Sequence, residues 1–281
     1  MEKVYWTKVK THKLKNTPYT LTGYSVSARN TGFYIPELRL ALDCGVPSNY
    51  SPEHIFITHG HLDHCGCLPN VLIDMGAVNP IIIAPEKCAE YLKNYIHSTF
   101  VMTKNNVNPK IHNKYKLISA INNNFIDLKI KKMNYKIEVI NSFHTVPCVS
   151  YGFIEIRNKL KQEYKDNSQH EIEELKKNNI TITESIEIPQ FCYIGDTSEK
   201  ILDNTKLQKY PTIIIECTFI YEDHISNAKK DRHMHWTHLE PYIKNNPNTH
   251  FIIIHFSSRY SDEEIIKFFA DKKYDNITIW I

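Results

Sequence analysis

The chain has no disulfide framework, no long apolar run and no low-complexity tract, and each absence removes a class of protein. Its seven cysteines are odd in number and scattered from Cys44 to Cys217, the usage of a reducing compartment rather than of a secreted scaffold. Met1-Glu2-Lys3-Val4-Tyr5-Trp6 opens no apolar signal region. No stretch approaches the roughly 20 apolar residues that a spanning helix needs. Secretion and membrane insertion are therefore not expected, and an intracellular, cytoplasmic location is. Strong charge of one sign is also missing. A formal net charge of +3 permits a polyanionic partner without demanding one, so only a clustered patch would point to nucleic acid.

What is present is enough apolar material for a large core. With 281 residues, 42% of them hydrophobic and 23% charged, the chain predicts one big domain or two intimate layers rather than disorder. Alternating and apolar runs read as strands at 20–27, 32–36, 38–43, 54–58 and 80–84. The theme repeats at 125–131, 135–141, 150–156, 190–195, 212–216, 250–255 and 276–281. Helical patterns start near Pro69 and at Pro85, where proline suits a first helical turn, and recur at 238–245 and 261–270. Strands of both kinds with interspersed helices predict an α+β fold, an αβ/βα sandwich with sheets packed together under outer helices. Residues 157–180 stand apart. They are strongly charged with few apolar anchors and read as a solvated helical insertion.

Chemistry concentrates in Thr58-His59-Gly60-His61-Leu62-Asp63-His64, directly after Ile55-Phe56-Ile57. His59 and His61 are two apart, so extended backbone points them to one side, and Asp63 and His64 turn a second pair toward the same centre. Imidazole and carboxylate suit zinc, manganese or iron, and four such groups exceed what one ion takes from so short a stretch. Two metals are expected. His144, Asp196 and His255 each follow an apolar strand and are the candidates for the remaining ligands. Alone, each reads as a hydrogen-bonded structural residue; beside the cluster at 59–64 the ligand reading prevails. Cys65-Gly66-Cys67 lacks the two-residue spacer of zinc and redox motifs and reads as small side chains under a tight turn.

Taken together, this cluster, the isolated His144, Gly195-Asp196-Thr197 and His255 resemble the metallo-β-lactamase superfamily. Asp43 in Leu42-Asp43-Cys44-Gly45 matches its first acidic position. The resemblance covers nearly the whole chain and implies a four-layer αβ/βα sandwich with a binuclear site at the edge between two sheets. Narrower motifs follow. Ser27-Ala28-Arg29-Asn30, Glu216-Cys217-Thr218-Phe219, His233-Met234-His235-Trp236-Thr237-His238 and His255-Phe256-Ser257-Ser258-Arg259-Tyr260 are similar, in order and approximate spacing, to motifs of tRNase Z. That family comprises tRNA 3′-processing endoribonucleases, and the short plant forms are the ones this chain resembles.

The resemblance implies the rest of the site. His59, His61 and His144 would hold one metal, Asp63, His64 and His255 the other, and Asp196 would bridge them; the cofactors would be two zinc ions, with manganese or iron able to take their place. Ions about 3.5–4 Å apart can share a hydroxide and neutralise charge on a phosphodiester. Asp63 would steer or accept a proton, His233 would be the general acid for the leaving 3′-oxygen, and Glu216 would orient it. Arg29, Asn30, Ser257 and Arg259 would contact substrate, Arg259 as a planar double donor to phosphate. The implied partner is precursor tRNA, and the implied assembly is a homodimer in which one subunit grips the tRNA that the other cuts.

The chain also departs from the family. The lysine of the usual Pro-x-Lys-x-Arg-Asn loop has no counterpart in Ser25-Val26-Ser27-Ala28-Arg29-Asn30, and Met234-His235 replace the serine and threonine of His-Ser-Thr. His235 is thus a rival to His233. No Gly- and Pro-rich arm is present, and residues 157–180, with Lys159, Lys161, Lys176 and Lys177, are its natural replacement as a phosphate-binding exosite. Lys8, Lys10, Lys13 and Lys15 form either a basic patch or a lysine-protected edge strand. Two other classes compete. A different hydrolase of the same fold, acting on a small phosphodiester or a thioester, would need neither Arg29-Asn30 nor the Glu216 and His233 pair. A non-catalytic zinc-containing RNA-binding protein would need no intact acid pair.

Overall fold

Runs such as Phe251-Ile252-Ile253-Ile254 become strands because β-branched and aromatic side chains pack well on both faces of a pleated surface. The computed structural model describes residues 9–47, 50–74, 79–105 and 114–281. The first sheet runs in chain order through β1 (Lys10–Lys13), β2 (Thr20–Val26), β3 (Asn30–Ile35), β4 (Leu40–Leu42), β5 (His54–Phe56), β6 (Ile81–Pro85) and β7 (Lys116–Ala120). The second does the same through β8 (Phe125–Ile130), β9 (Met133–Asn141), β10 (Val149–Leu160), β11 (Thr183–Tyr193), β12 (Thr212–Glu216), β13 (His250–Ile254) and β14 (Ile277–Ile279). In both sheets the first three pairings are antiparallel and the last three parallel. The two halves therefore share one topology.

Side-chain alternation sorts the layers. Phe56 faces inward, edge-on to Tyr151 and Phe153 of the other sheet, while Ile55 and Ile57 face outward. The outward side is covered by α2 (Leu68–Asp74) and α3 (Glu86–Lys104), which contribute Leu72, Leu92 and Ile96. Likewise Ile214 and Ile252 join the core between the sheets, and Ile213, Ile215 and Ile253 pack under α6 (Trp236–Asn245) and α7 (Asp262–Ala270). The result is the α+β, four-layer αβ/βα sandwich that the sequence predicts. Three further α-helices complete the described set: α1 (Leu62–Cys65), α4 (Gln169–Lys177) and α5 (Ile225–Asp231). Among the described residues no helix is long and apolar enough to cross a membrane.

The helical insertion expected at 157–180 needs correcting. Strands β10 and β11 run past the sandwich as a two-stranded ribbon, pairing Lys159 with Glu184 and Leu160 with Thr183, and only α4 at its tip is an α-helix. A ribbon wetted on both faces has no apolar alternation to betray it. The tip helix is locally encoded: Ser168 and Glu171 form a capping box, and Lys176 and Lys177 close the last turn. Of the two edges of the first sheet, one answers the lysine-protected edge strand that the sequence offers and the other escapes the pattern. β1 is the lysine-bearing edge strand, with Lys10 and Lys13 exposed, whereas Lys8 lies outside the described residues; β7 is the opposite edge of the same sheet.

One core residue carries a stability prediction. His54 is 5% exposed, and among the described residues neither ring nitrogen has a hydrogen-bond partner. Burial lowers its pKa, against a smaller opposing effect of Glu53, so the folded chain keeps the ring neutral. The unfolded chain takes up a proton as pH falls through about 6.5, and stability drains away in that direction. His54→Leu removes an unpaired polar group that costs about 1–3 kcal/mol. Thermal unfolding of the variant should occur at least about 2 °C higher, and the gap over the parent should widen from pH 7 to pH 5.

Candidate metal centre

Strand register delivers the site. Leu42 pairs with Phe56, Tyr193 with Ile214, and Glu216 with Ile254. Asp43, His59, Asp196, Glu216 and His255 therefore emerge at the same end of the sandwich, and His144 follows β9 there. The two sheets are stitched together at this edge by Val149 N–H donating to Thr58 O, and by Ser27 N–H donating to Phe256 O. Asp43 (φ 57°) and His255 (φ 64°) both sit in the left-handed region that costs a non-glycine residue strain, as often happens where geometry serves a site. Two glycines are needed for close approach. A Cβ on Gly45 would lie 1.7 Å from the Asp63 carbonyl oxygen, and one on Gly195 would lie 2.6 Å from Thr58 Cβ.

The side chains converge as two clusters. His59 Nε2 lies 3.1 Å from His61 Nδ1, His144 Nε2 lies 3.3 Å from the same atom, and Asp196 Oδ2 stands 3.7 Å from His59 and 3.9 Å from His144. In the second cluster His64 Nε2 faces His255 Nε2 at 3.2 Å, with Asp63 Oδ2 at 3.7 and 3.6 Å from them. Asp196 reaches this group too, at 3.4 Å from His64 and 3.6 Å from His255. Ligands about 2.1 Å from a tetrahedral ion stand about 3.4 Å apart, which matches these separations. Asp196, His233 and His255 also bring ligand atoms within 4.8 Å, but His233 Nδ1 is held by Glu216.

Charge makes the same case. Asp43, Asp196 and Glu216 are buried and Asp63 is half-buried, a concentration of carboxylates that needs cations close by. Burial works against ionisation of Asp196, yet His255, His64 and His59 hold its pKa well below the carboxylate range. Burial holds His59, His61 and His144 below the histidine range, so their lone pairs are free to ligate. It opposes charge on His64 as well, but Asp196 and Asp43 outweigh it and lift that pKa well above the usual value. The donor set thus fits a pair of divalent ions.

Behind the clusters the remaining ring nitrogens of His59, His64, His144 and His255 are tied down, which fixes tautomer and aim. His64 Nδ1 donates to Asp43 Oδ2 at 2.8 Å. Asp43 also accepts from Thr58 N–H at 2.8 Å and from the Tyr193 hydroxyl at 2.7 Å. His144 Nδ1 donates to the Arg232 carbonyl at 3.1 Å, and Arg232 Nη1 returns a bond to the His144 carbonyl at 2.9 Å. Thr58 Oγ1 contacts His59 Nδ1 and Thr218 Oγ1 contacts His255 Nδ1, both at 3.0 Å. Asp43→Asn should weaken metal binding about 10–100-fold, read by competition against a chelator of known affinity. Thr58, Tyr193, Thr218 and Arg232 were not singled out from sequence; only the two threonines had a signal, their places beside His59 and near Glu216.

Glu216 and His233 form a second unit. Glu216 Oε1 accepts from His233 Nδ1 at 2.8 Å and from Thr197 N–H at 2.9 Å, and its Oε2 accepts from Thr218 Oγ1 at 2.6 Å. Burial alone would depress His233, but the Glu216 carboxylate raises its pKa to about 9. His235 is placed differently. It is fully buried, caps α6 by accepting from Thr237 N–H, and spends its other nitrogen on the Tyr221 carbonyl.

Ser27, Ala28, Arg29, His61, Leu62, Asp63, Asp196, His233 and His255 line a cleft of about 550 Å³. Arg29 is exposed at its rim, and Ala28 N–H donates to Asp63 Oδ2 at 3.0 Å. Asn30 turns its amide to the Gly45 carbonyl. Ser257 is buried beneath the cleft wall, paired with Ser27 across the sheets, and exposed Arg259 lies over the Phe219 ring at 5.6 Å. Cys65 is buried and Cys67 half-buried with its thiol toward the Gly45 carbonyl, outside both clusters.

No family model matches the chain. Among curated proteins, tRNase Z TRZ1 of Arabidopsis thaliana is 30% identical over 262 residues, a span of 88% of this chain and 88% of that protein. Among solved structures, human tRNase Z, short form (ELAC1), superposes with a TM-score of 0.56 at 16% identity, covering 92% of this chain and 93% of its own. The metallo-β-lactamase fold protein YhfI from Bacillus subtilis does so with a TM-score of 0.57 at 14% identity, covering 94% and 96%. At such identities the two structures speak for the fold alone.

Proposed function

The chain belongs to the tRNase Z family of the metallo-β-lactamase superfamily, and from that premise we propose how its residues remove the 3′ trailer from precursor tRNA. The observation that carries the proposal is the Glu216–His233 pair standing 3.9 Å from Asp196 at the metal centre. A small ester with a good leaving group needs no such acid, whereas a ribose 3′-oxygen leaves as a strongly basic alkoxide unless it is protonated.

His59, His61 and His144 would hold one ion, Asp63, His64 and His255 the other, with Asp196 between them; zinc is the first choice, and manganese or iron suit the same donors. When bound, such a pair lowers the pKa of water and neutralises phosphodiester charge. Asp63, fixed by the Ala28 N–H, accepts the proton released from water. His233 keeps Nδ1 on Glu216 and gives the proton on Nε2 to the 3′-oxygen of the tRNA. Arg29 and Arg259 meet phosphates beside the cleft, Asn30 and Ser257 supporting the loops that carry them.

Residues 1–281 act as a single domain with a tRNA-binding arm. That arm leaves the ends of β10 and β11 remote from the ligands: β10 starts beside Thr58 and its far end is roughly 35 Å away at about 3.3 Å per residue. Its lysines therefore act on the tRNA body rather than at the scissile phosphate. The reading includes a homodimer and a cytoplasmic location, the latter supported by seven unpaired cysteines. Replacing 161–182 with a tight turn should raise KM for 3′-extended tRNA about tenfold or more at low salt and leave hydrolysis of a small phosphodiester in place. Equal loss on both substrates would defeat the docking role. Assaying the two substrates side by side with zinc, manganese and iron tests the wider proposal, which predicts metal-dependent cleavage of the tRNA.

A further inference from the structure

A second hollow of about 420 Å³ opens beside the cleft, with Leu62 lining both. Its floor is Cys88 and Leu92; Tyr91, Tyr95 and Pro147 form its walls, and Lys87 stands at its rim. Residues 88, 91, 92 and 95 lie on one stripe of α3. Tyr91 is 76% exposed and Leu62 69% exposed, so two large apolar side chains face solvent on either side of a concavity that continues the catalytic cleft. The Tyr95 hydroxyl donates to the Gly66 carbonyl at 2.7 Å and anchors the helix to the loop that carries the ligands.

We propose that this hollow seats the first unpaired nucleobase of the 3′ trailer, stacked on Tyr91, with Lys87 meeting the phosphate that follows. The proposal rests on the tRNA-processing reading above. Single-stranded RNA is gripped by stacking its splayed bases on aromatic side chains beside a cation, and the hollow sets that chemistry next to the cleft, across Leu62. His233, which gives its proton to the tRNA 3′-oxygen, takes no part in the lining, so the hollow serves the trailer side of the scissile bond. A subunit contact would call for roughly 800 Å² per partner, whereas this is a concave site suited to one base and its ribose.

The test uses the metal-loaded protein and 3′-extended tRNA, intact or with an abasic ribose at the first trailer position. Tyr91→Ala should raise KM about tenfold on the intact substrate with a smaller change in kcat, and Tyr91→Phe should restore it. The abasic substrate should cost the parent protein a similar factor and erase the difference between parent and Tyr91→Ala. The proposal is overturned if Tyr91→Ala loses nothing, if it loses the same factor on both substrates, or if an abasic discriminator rather than trailer nucleotide erases the difference. It is equally overturned if the substitution converts a dimer to a monomer in sedimentation, since Tyr91 would then be a subunit contact. Failure of the parent protein to cut the intact substrate would instead overturn the tRNA-processing reading on which this one depends.

Discussion

Replacing His233 with alanine lowers cleavage of 3′-extended tRNA by about 10²–10⁴-fold and leaves a nitrophenyl phosphodiester hydrolysed at close to the parental rate. The two substrates differ in what departs from phosphorus. A ribose 3′-oxygen has to be protonated as it leaves, and His233 is the group we propose for it, its Nδ1 bound to Glu216 at 2.8 Å and its pKa raised by that carboxylate. A nitrophenolate leaves unaided, so loss of the acid costs it little. His235 offers no rescue, because both its ring nitrogens are committed to capping α6 and to the Tyr221 carbonyl. Equal damage to both substrates would show that His233 supports the metal centre instead of supplying the proton.

The second large effect is at Asp196. Asp196→Ala abolishes hydrolysis of both substrates together and lowers the bound metal, measured by atomic emission on the dialysed protein. The carboxylate stands within 3.4–3.9 Å of His59, His64, His144 and His255, so among the described residues it is the side chain that reaches both clusters. Its removal leaves the surrounding imidazoles without the carboxylate that stands between the two clusters and draws cations to both. A variant that kept its full metal content and its activity on the small ester would separate Asp196 from the metal centre.

The contrast between the two variants explains what was legible in the sequence. The residues of the two clusters could be read because His59, His61, Asp63 and His64 are consecutive or nearly so, and because His144, Asp196 and His255 each follow an apolar run. The layers were legible for the same reason: strand cores such as Thr212–Glu216 and His250–Ile254 are apolar on both faces. Elements whose residues face water left no such trace. The ribbon formed by the far ends of β10 and β11 resembled a charged helix, and the edge strand Lys116–Ala120 was invisible. The family resemblance favours His233 over its rival His235, two residues away, but the choice rests on the fold. It turns on β12 placing Glu216 against one ring while the start of α6 captures the other. Tyr193 reads as core in any periodicity, yet its hydroxyl donates to Asp43 150 positions away in the chain, a pairing that only the assembled sandwich makes.

We propose that this metal centre, with Glu216 and His233, cuts a phosphodiester at the 3′ end of tRNA. Mapping the ends produced from a 3′-extended tRNA tests it most directly. Cleavage after the discriminator nucleotide, leaving a 3′-hydroxyl on the tRNA and a 5′-phosphate on the trailer, is the predicted result. A 2′,3′-cyclic phosphate on the tRNA, or no cleavage by protein shown to carry its metals, would contradict it.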